Sequence, residues 1–210
     1  MNIDLRTRPA AGTPEGALIL LHGRGADEHD LHGLLDVFDP ERRLVGITPG
    51  GPLSLPPGGR HWYAVARVGF PEPETFSATY ADLTALLDAE LAEHGVGWDR
   101  AVIGGFSQGT VMSYAVGLGA GRPLPAGILA MSGFIPTVDG WELRSDGLTG
   151  YPVAIAHGAL DPVISVDFAR SARDRLEAAG ADVLYRESQM PHTIDPRVIP
   201  DLQAWLRERV

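Results

Sequence analysis

The chain has 210 residues, 44% hydrophobic and 21% charged, an ordinary globular balance with ample material for a core. Cysteine is absent, which excludes a thiol nucleophile, disulfides, a cysteine zinc site and an iron–sulfur cluster, and because all 17 basic residues are arginine, P-loop and Schiff-base lysine chemistry are excluded too. A net charge of −10 argues against a surface that binds nucleic-acid phosphates.

Arg6 and Arg8 are followed by Pro9, Gly12 and Pro14, and the apolar run 17–21 is too short for a secretion signal, so it reads as a first buried strand. Leu31, Leu34, Leu35 and Phe38 then share one helical face, and 44–47 is a second strand. The segment 49–73 is rich in proline and glycine yet carries His61, Trp62, Tyr63 and Phe70. That is too aromatic for a linker and predicts an ordered loop over one end of a sheet. Tyr80, Leu83, Leu87 and Leu91 form a second helical stripe, followed by strands at 101–103, 126–131 and 153–156. Phe168, Ala172, Leu176 and Ala179 form a third stripe, with Ser165 as its N-cap and Gly180 just past its end. A strand-like Val183-Leu184-Tyr185 precedes a terminal helix facing inward through Leu202, Trp205 and Leu206, and Pro196 and Pro200 compete for its first turn. No repeat is visible. This alternation predicts one α/β domain over 1–210, with a mostly parallel central sheet and helices on both faces.

Residues 101–121 carry no charge and contain glycines at 105 and 109, a pattern also found in membrane helices. Six glycines together with Ser107, Gln108 and Ser113 favour a buried strand–turn–helix instead, and a soluble, cytoplasmic chain is expected.

The motif Gly105-Phe106-Ser107-Gln108-Gly109 sits between the strand 101–103 and an apolar helical run through Val111, Met112 and Ala115. A strand–elbow–helix of this kind holds a serine hydroxyl clear of the backbone, and the flanking glycines avoid collisions with neighbouring elements. The alternative is a glycine-rich turn with a capping serine. A serine nucleophile needs a base that is oriented by an acid, in the chain order serine, acid, histidine. Asp161, after the strand 153–156, and His192, after 183–185, both fall in loops at strand C-terminal ends. For a developing oxyanion, the N–H of Gln108 lies at a helix start, and Leu21-His22-Gly23-Arg24-Gly25 offers the N–H of Arg24 as a second donor.

With these residues in view, the chain resembles the phospholipase/carboxylesterase family of α/β-hydrolases, which includes acyl-protein thioesterases and small bacterial carboxylesterases. The resemblance runs from Leu20 to about Leu206. It rests on Leu21-His22-Gly23-Arg24-Gly25-Ala26-Asp27, His61-Trp62-Tyr63, Gly104-Gly105-Phe106-Ser107-Gln108-Gly109, Met131-Ser132-Gly133-Phe134-Ile135-Pro136, His157-Gly158 with Asp161-Pro162-Val163, and Met190-Pro191-His192. It implies the α/β-hydrolase fold, Ser107, Asp161 and His192 as catalytic triad, the Arg24 and Gln108 N–H groups as oxyanion hole, and no cofactor. The chain departs from the family pattern at Thr110, where a second glycine is usual, and the threonine should tighten the elbow. Pro191 replaces the usual glycine before the histidine, which stiffens that loop. Arg24 stands where many members carry leucine at the mouth of the acyl pocket, which favours shorter acyl chains.

Several residues keep more than one reading. Asp27, Glu28, His29, Asp30 and His32 include metal-ligand types, but acids also favour a first helical turn, and no metal is expected. His22 and His157, each before a glycine at a strand end, read as structural histidines. Trp62, Tyr63, Phe70, Phe134 and Met190 line an apolar substrate cleft or belong to ordinary core. The expected activity is hydrolysis of a small-molecule ester or thioester of short to medium acyl chain through an acyl-enzyme on Ser107. A lysophospholipase, an acyl-protein thioesterase and an inactive hydrolase-like binding module are the alternatives. No nucleic-acid partner or membrane span is expected, and a homodimer is left open.

Overall fold

The computed structural model describes residues 3–210. In chain order the elements are β1 (Leu5–Arg8), β2 (Gly16–Leu21), α1 (Leu34–Phe38), β3 (Leu44–Pro49), β4 (Leu53–Ser54), β5 (Arg60–His61), β6 (Val65–Arg67), β7 (Phe70–Pro71), α2 (Pro73–Glu93), β8 (Ala101–Phe106), α3 (Gln108–Leu118), β9 (Gly127–Met131), β10 (Pro152–Gly158), α4 (Val166–Ala178), β11 (Asp182–Ser188) and α5 (Ile199–Arg207). Single 3-10 turns lie at Trp98–Arg100 and Pro196–Val198.

The main sheet has the order β1-β3-β2-β8-β9-β10-β11, with β1 antiparallel to β3 and every other pairing parallel. Its central strands are continuous apolar runs because helices cover both faces. Side chains alternate between two cores, as the pleat requires. Ala17, Ile19, Leu21 and Ile103 pack with Leu83 and Leu87 of α2, Met112 of α3 and Leu176 of α4. Leu18, Leu20, Val102 and Leu129 pack with Leu35 and Phe38 of α1 and with Leu202 and Trp205 of α5. The chain leaves β2 toward β3 on one side and returns as β8 on the other, so the C-terminal ends of β2 and β8 flank the switch point where open α/β sheets bind ligands. Leu21 is paired with Gly105 there, which brings the His22–Arg24 turn beside Ser107.

The structure differs from the sequence reading in several places. β1 is a strand that hydrophobic patterning misses, since Leu5-Arg6-Thr7-Arg8 is polar and lies at the sheet edge. The α-helix in the first stripe begins at Leu34 rather than Leu31, because residues 27–35 form successive three-residue turns, one of them with Asp27 accepting the His29 N–H at 2.9 Å. Leu31 is buried all the same. α2 starts a full two turns before Tyr80, with Pro73 in its first turn and the Glu72 carboxylate capping the Glu74 and Thr75 N–H groups. The buried face of α4 is Val166, Ala169, Ala172 and Leu176, with Ala179 exposed beyond its end. The Ser165 cap and the positive φ of Gly180 are as expected. Both prolines near α5 are accommodated, Pro196 in the 3-10 turn and Pro200 in the first turn of the helix. The uncharged run 101–121 is β8, a sharp elbow and the fully buried α3, and no helix among the described residues is long and apolar enough to cross a membrane.

Candidate active site

Ser107 occupies the elbow between β8 and α3 with φ 56° and ψ −118°, a conformation that L-residues rarely adopt. Close packing makes this turn depend on its glycines. A Cβ on Gly105 would meet the Gly109 backbone at 2.6 Å and the Leu21 carbonyl at 2.7 Å, and one on Gly109 would overlap the same Leu21 carbonyl. The Ser107 N–H donates to the Met131 carbonyl at 2.9 Å, and its hydroxyl does not cap α3. Thr110 adds to the restraint. Its hydroxyl lies 2.6 Å from the carbonyls of both Gly105 and Met131 and accepts the Met131 N–H at 3.1 Å, tying β8, α3 and β9 together just below the serine.

The loops after β10 and β11 converge on that hydroxyl. His192 Nε2 lies 3.0 Å from Ser107 Oγ, and His192 Nδ1 lies 2.6 Å from Asp161 Oδ2. The other Asp161 oxygen accepts the N–H groups of Val163 and Ile164, each at 2.8 Å. Burial pushes the Asp161 pKa up, but the hydrogen bonds from His192, Ile164 and Val163 outweigh it and hold the carboxyl below its ordinary range. The Phe106 ring packs on the His192 imidazole with centroids 4.7 Å apart. Gly158 lets the two loops meet, because the carbonyl oxygens of Met190 and Pro191 occupy the place of its missing Cβ. Leu160 N–H donates to Met190 O at 3.1 Å and Thr193 N–H to Pro191 O at 2.8 Å, so the segment before His192 is held on both sides.

His157 supports this arrangement from below. Its Nε2 bonds the Ile164 carbonyl at 2.9 Å and lies 3.4 Å from Asp161 Oδ2, while burial lowers its pKa and keeps the ring neutral. His22 is structural as well. Its Nδ1 bonds the Gly23 carbonyl at 2.7 Å and its Nε2 accepts the Gly51 N–H at 2.8 Å, with burial again favouring the neutral form.

The Gln108 N–H is the first of α3 and has no intrahelical acceptor. Its side chain does something the sequence reading missed: Oε1 accepts the Trp62 N–H at 2.9 Å and Nε2 donates to the Tyr63 carbonyl at 2.8 Å, clamping the long loop over the site. Arg24 lies in the turn after β2, where the next N–H, that of Gly25, is already bonded to the Arg60 carbonyl at 2.8 Å.

A cavity of about 380 Å³ opens above Ser107. Its lining includes Arg24, Gln108 and, of the residues named for a substrate cleft, Tyr63, Phe70 and Phe134. Trp62 does not; it is fully buried, with Nε1 donating to the His22 carbonyl at 2.8 Å and its ring against the His22 imidazole. Met190 is also outside the lining and contributes its carbonyl instead. Sequence reasoning missed the β6–β7 ribbon, including Arg67, and Val163 and Ile164 after the acid. Only the aromatic content of 49–73 hinted that this loop forms a wall.

The acidic segment before α1 holds its own turns. His32 Nδ1 is 3.0 Å from the Thr48 hydroxyl, and His29 lies 3.3 Å from Glu28. Among the described residues no group of three or more His, Asp or Glu side chains is arranged to hold a metal ion.

A profile of the phospholipase/carboxylesterase family matches residues 5–209. Acyl-protein thioesterase 1 of Yarrowia lipolytica is 29% identical over 219 residues, covering 96% of this chain and 95% of that protein. Putative hydrolase MhqD of Bacillus subtilis is 23% identical, covering 95% of this chain and 96% of that protein. Among solved structures, esterase PE8 has a TM-score of 0.85 at 27% identity over 100% of both chains. The Bacillus cereus carboxylesterase has a TM-score of 0.86 at 22% identity, covering 99% of this chain and 95% of that one. The architecture is the α/β-hydrolase fold.

Proposed function

The chain belongs to the phospholipase/carboxylesterase family and is a hydrolase of carboxylic esters or thioesters, and from that premise we propose that Ser107, His192 and Asp161 are its catalytic triad. Ser107 Oγ attacks the acyl carbon while His192 Nε2 takes the hydroxyl proton, and Asp161 orients and stabilises the imidazolium through Nδ1–H. The carbonyl oxygen becomes an oxyanion held by the N–H groups of Arg24 and Gln108, the latter helped by the start of α3. His192 returns its proton to the leaving oxygen or sulfur as the acyl–heteroatom bond breaks. A water, deprotonated by His192, then attacks the acyl-enzyme; Ser107 leaves with the proton and the acid is released.

The observation that carries this reading is the continuous hydrogen-bond chain from Ser107 Oγ through His192 to Asp161, at 3.0 and 2.6 Å. Its geometry meets the requirement for a nucleophile, a base and an orienting acid. The same chain of contacts weighs against an inactive binding module, for which a strained serine and a buried ionised acid would serve no purpose. Ser107→Ala removes only a hydroxyl, so the protein should fold normally while ester turnover falls about 10⁴-fold or more. Retention of a tenth of the activity would mean that another group is the nucleophile. The departure at Arg24 directs the enzyme toward short and medium acyl chains, since an apolar chain laid over a guanidinium desolvates it without a partner.

A further inference from the structure

The cavity above Ser107 is lined by two arginines, Arg24 and Arg67, and by no acidic residue. This is unusual for the chain, whose net charge is −10. Most arginines elsewhere have carboxylate partners, such as Arg42 with Asp36, Arg122 with Asp88, Arg170 with Glu187 and Arg186 with Asp201, while Arg100 bonds backbone carbonyls. Among the described residues, Arg24 and Arg67 have none. The Arg67 guanidinium instead lies 3.6 Å over the centroid of the Phe70 ring, which positions the charge without neutralising it. The ribbon that carries it is anchored: the carbonyl of Gly69, at its tip, accepts the Thr137 hydroxyl at 3.3 Å.

Unneutralised guanidinium groups beside low-dielectric walls attract anions from solution and form charge-assisted hydrogen bonds with them. Val65, Val68, Phe134 and Val163 supply apolar wall to the same cavity. We propose that the enzyme prefers small esters or thioesters bearing an anionic group, a carboxylate or a phosphate, which Arg24 and Arg67 hold while Ser107 attacks the acyl carbon. This specificity rests on the hydrolase reading above and adds to it the class of substrate. A cavity of about 380 Å³ suits a short substrate of this kind.

The test compares two matched pairs at low ionic strength. Monoethyl adipate against ethyl adipamate places a carboxylate or its neutral amide isostere on the acyl side. Butyrylglycerol phosphate against monobutyrin places a phosphate or a hydroxyl on the leaving group. The readout is the ratio of kcat/KM for the anionic over the neutral member, measured in wild type, Arg67→Gln and Arg24→Gln. Because the ratio is internal to each variant, partial loss of folded enzyme divides out. In wild type the ratio should reach about tenfold or more in at least one pair, fall toward one in both variants and shrink with added salt. The pair that responds tells whether the anion sits on the acyl or the alcohol side. Neutral esters turned over with a wild-type ratio near or below one in both pairs would overturn the anion preference and leave the hydrolase intact. A ratio that survives both substitutions would overturn the roles of these arginines. No turnover of any of the four esters would overturn the hydrolase reading itself, and this inference with it.

Discussion

Asp161 is a buried carboxylate that remains ionised because His192 and two backbone N–H groups offset the penalty of burial. Its pKa in the folded protein lies below its ordinary value, so the unfolded chain takes up this proton first as pH falls. The carboxylate therefore contributes to stability above about pH 4, and that contribution is lost as pH falls through the lower folded value. Asp161→Asn should flatten this part of a plot of urea midpoint against pH, and an unchanged plot would mean that other acids set the acid limb. Arg24 gives a second test at this scale. Arg24→Leu keeps the backbone N–H, so acetate and butyrate esters should change within a few fold while longer acyl esters improve, by up to ~0.8 kcal/mol per newly buried methylene. Superimposable chain-length profiles for the two proteins would place the side chain away from the acyl group.

At the scale of elements, the sheet edge is fastened by a charge pair remote from the site. Arg8 of β1 is buried and donates to Asp39 Oδ2 at 2.6 Å and to the carbonyls of Leu35 and Leu44 at 2.8 Å. Asp39 in turn accepts the N–H groups of Arg43 and Leu44. Asp39→Ala would leave Arg8 with the half-exposed Asp36, 3.1 Å from Nη1, as its remaining carboxylate, so it should destabilise the fold by about 1.5–3 kcal/mol without altering kcat of the folded fraction. A shift below about 1 kcal/mol in a urea titration would show that Asp36 and solvent suffice to hold Arg8 without Asp39. Nothing in the sequence marks this pair, because its partners are 31 positions apart and sit in segments with no hydrophobic period. The central strands and the elbow were legible for the opposite reason: each is a local pattern, an apolar run or a serine between glycines, whose meaning does not depend on distant residues. That Asp161 and His192 come together at Ser107 was legible through their order after the serine and their places at strand ends. The cavity was less so. Trp62 and Tyr63 are neighbours of the same chemical type and both buried, yet only Tyr63 also lines the cavity, a difference that composition does not show. Arg67 went unnoticed because a ribbon of three residues against two has no readable period.

Across the whole molecule, the parallel sheet gathers at one end what the chain keeps far apart. Ser107 and His192 are separated by 85 positions and Asp161 and His192 by 31, yet β8, β10 and β11 deliver all three to the same edge beside the β2 turn. The elbow strain, the supporting His157 and the loop clamp all act on that one place. The central claim is that Ser107 is a nucleophile activated by His192 and Asp161, and an active-site-directed fluorophosphonate tests it most directly. Intact mass and peptide mapping should find one phosphonyl adduct per chain, on the peptide carrying Ser107, with no adduct in Ser107→Ala and much slower labelling in His192→Ala. An adduct on a different residue, or none in a preparation that hydrolyses esters, would contradict the account.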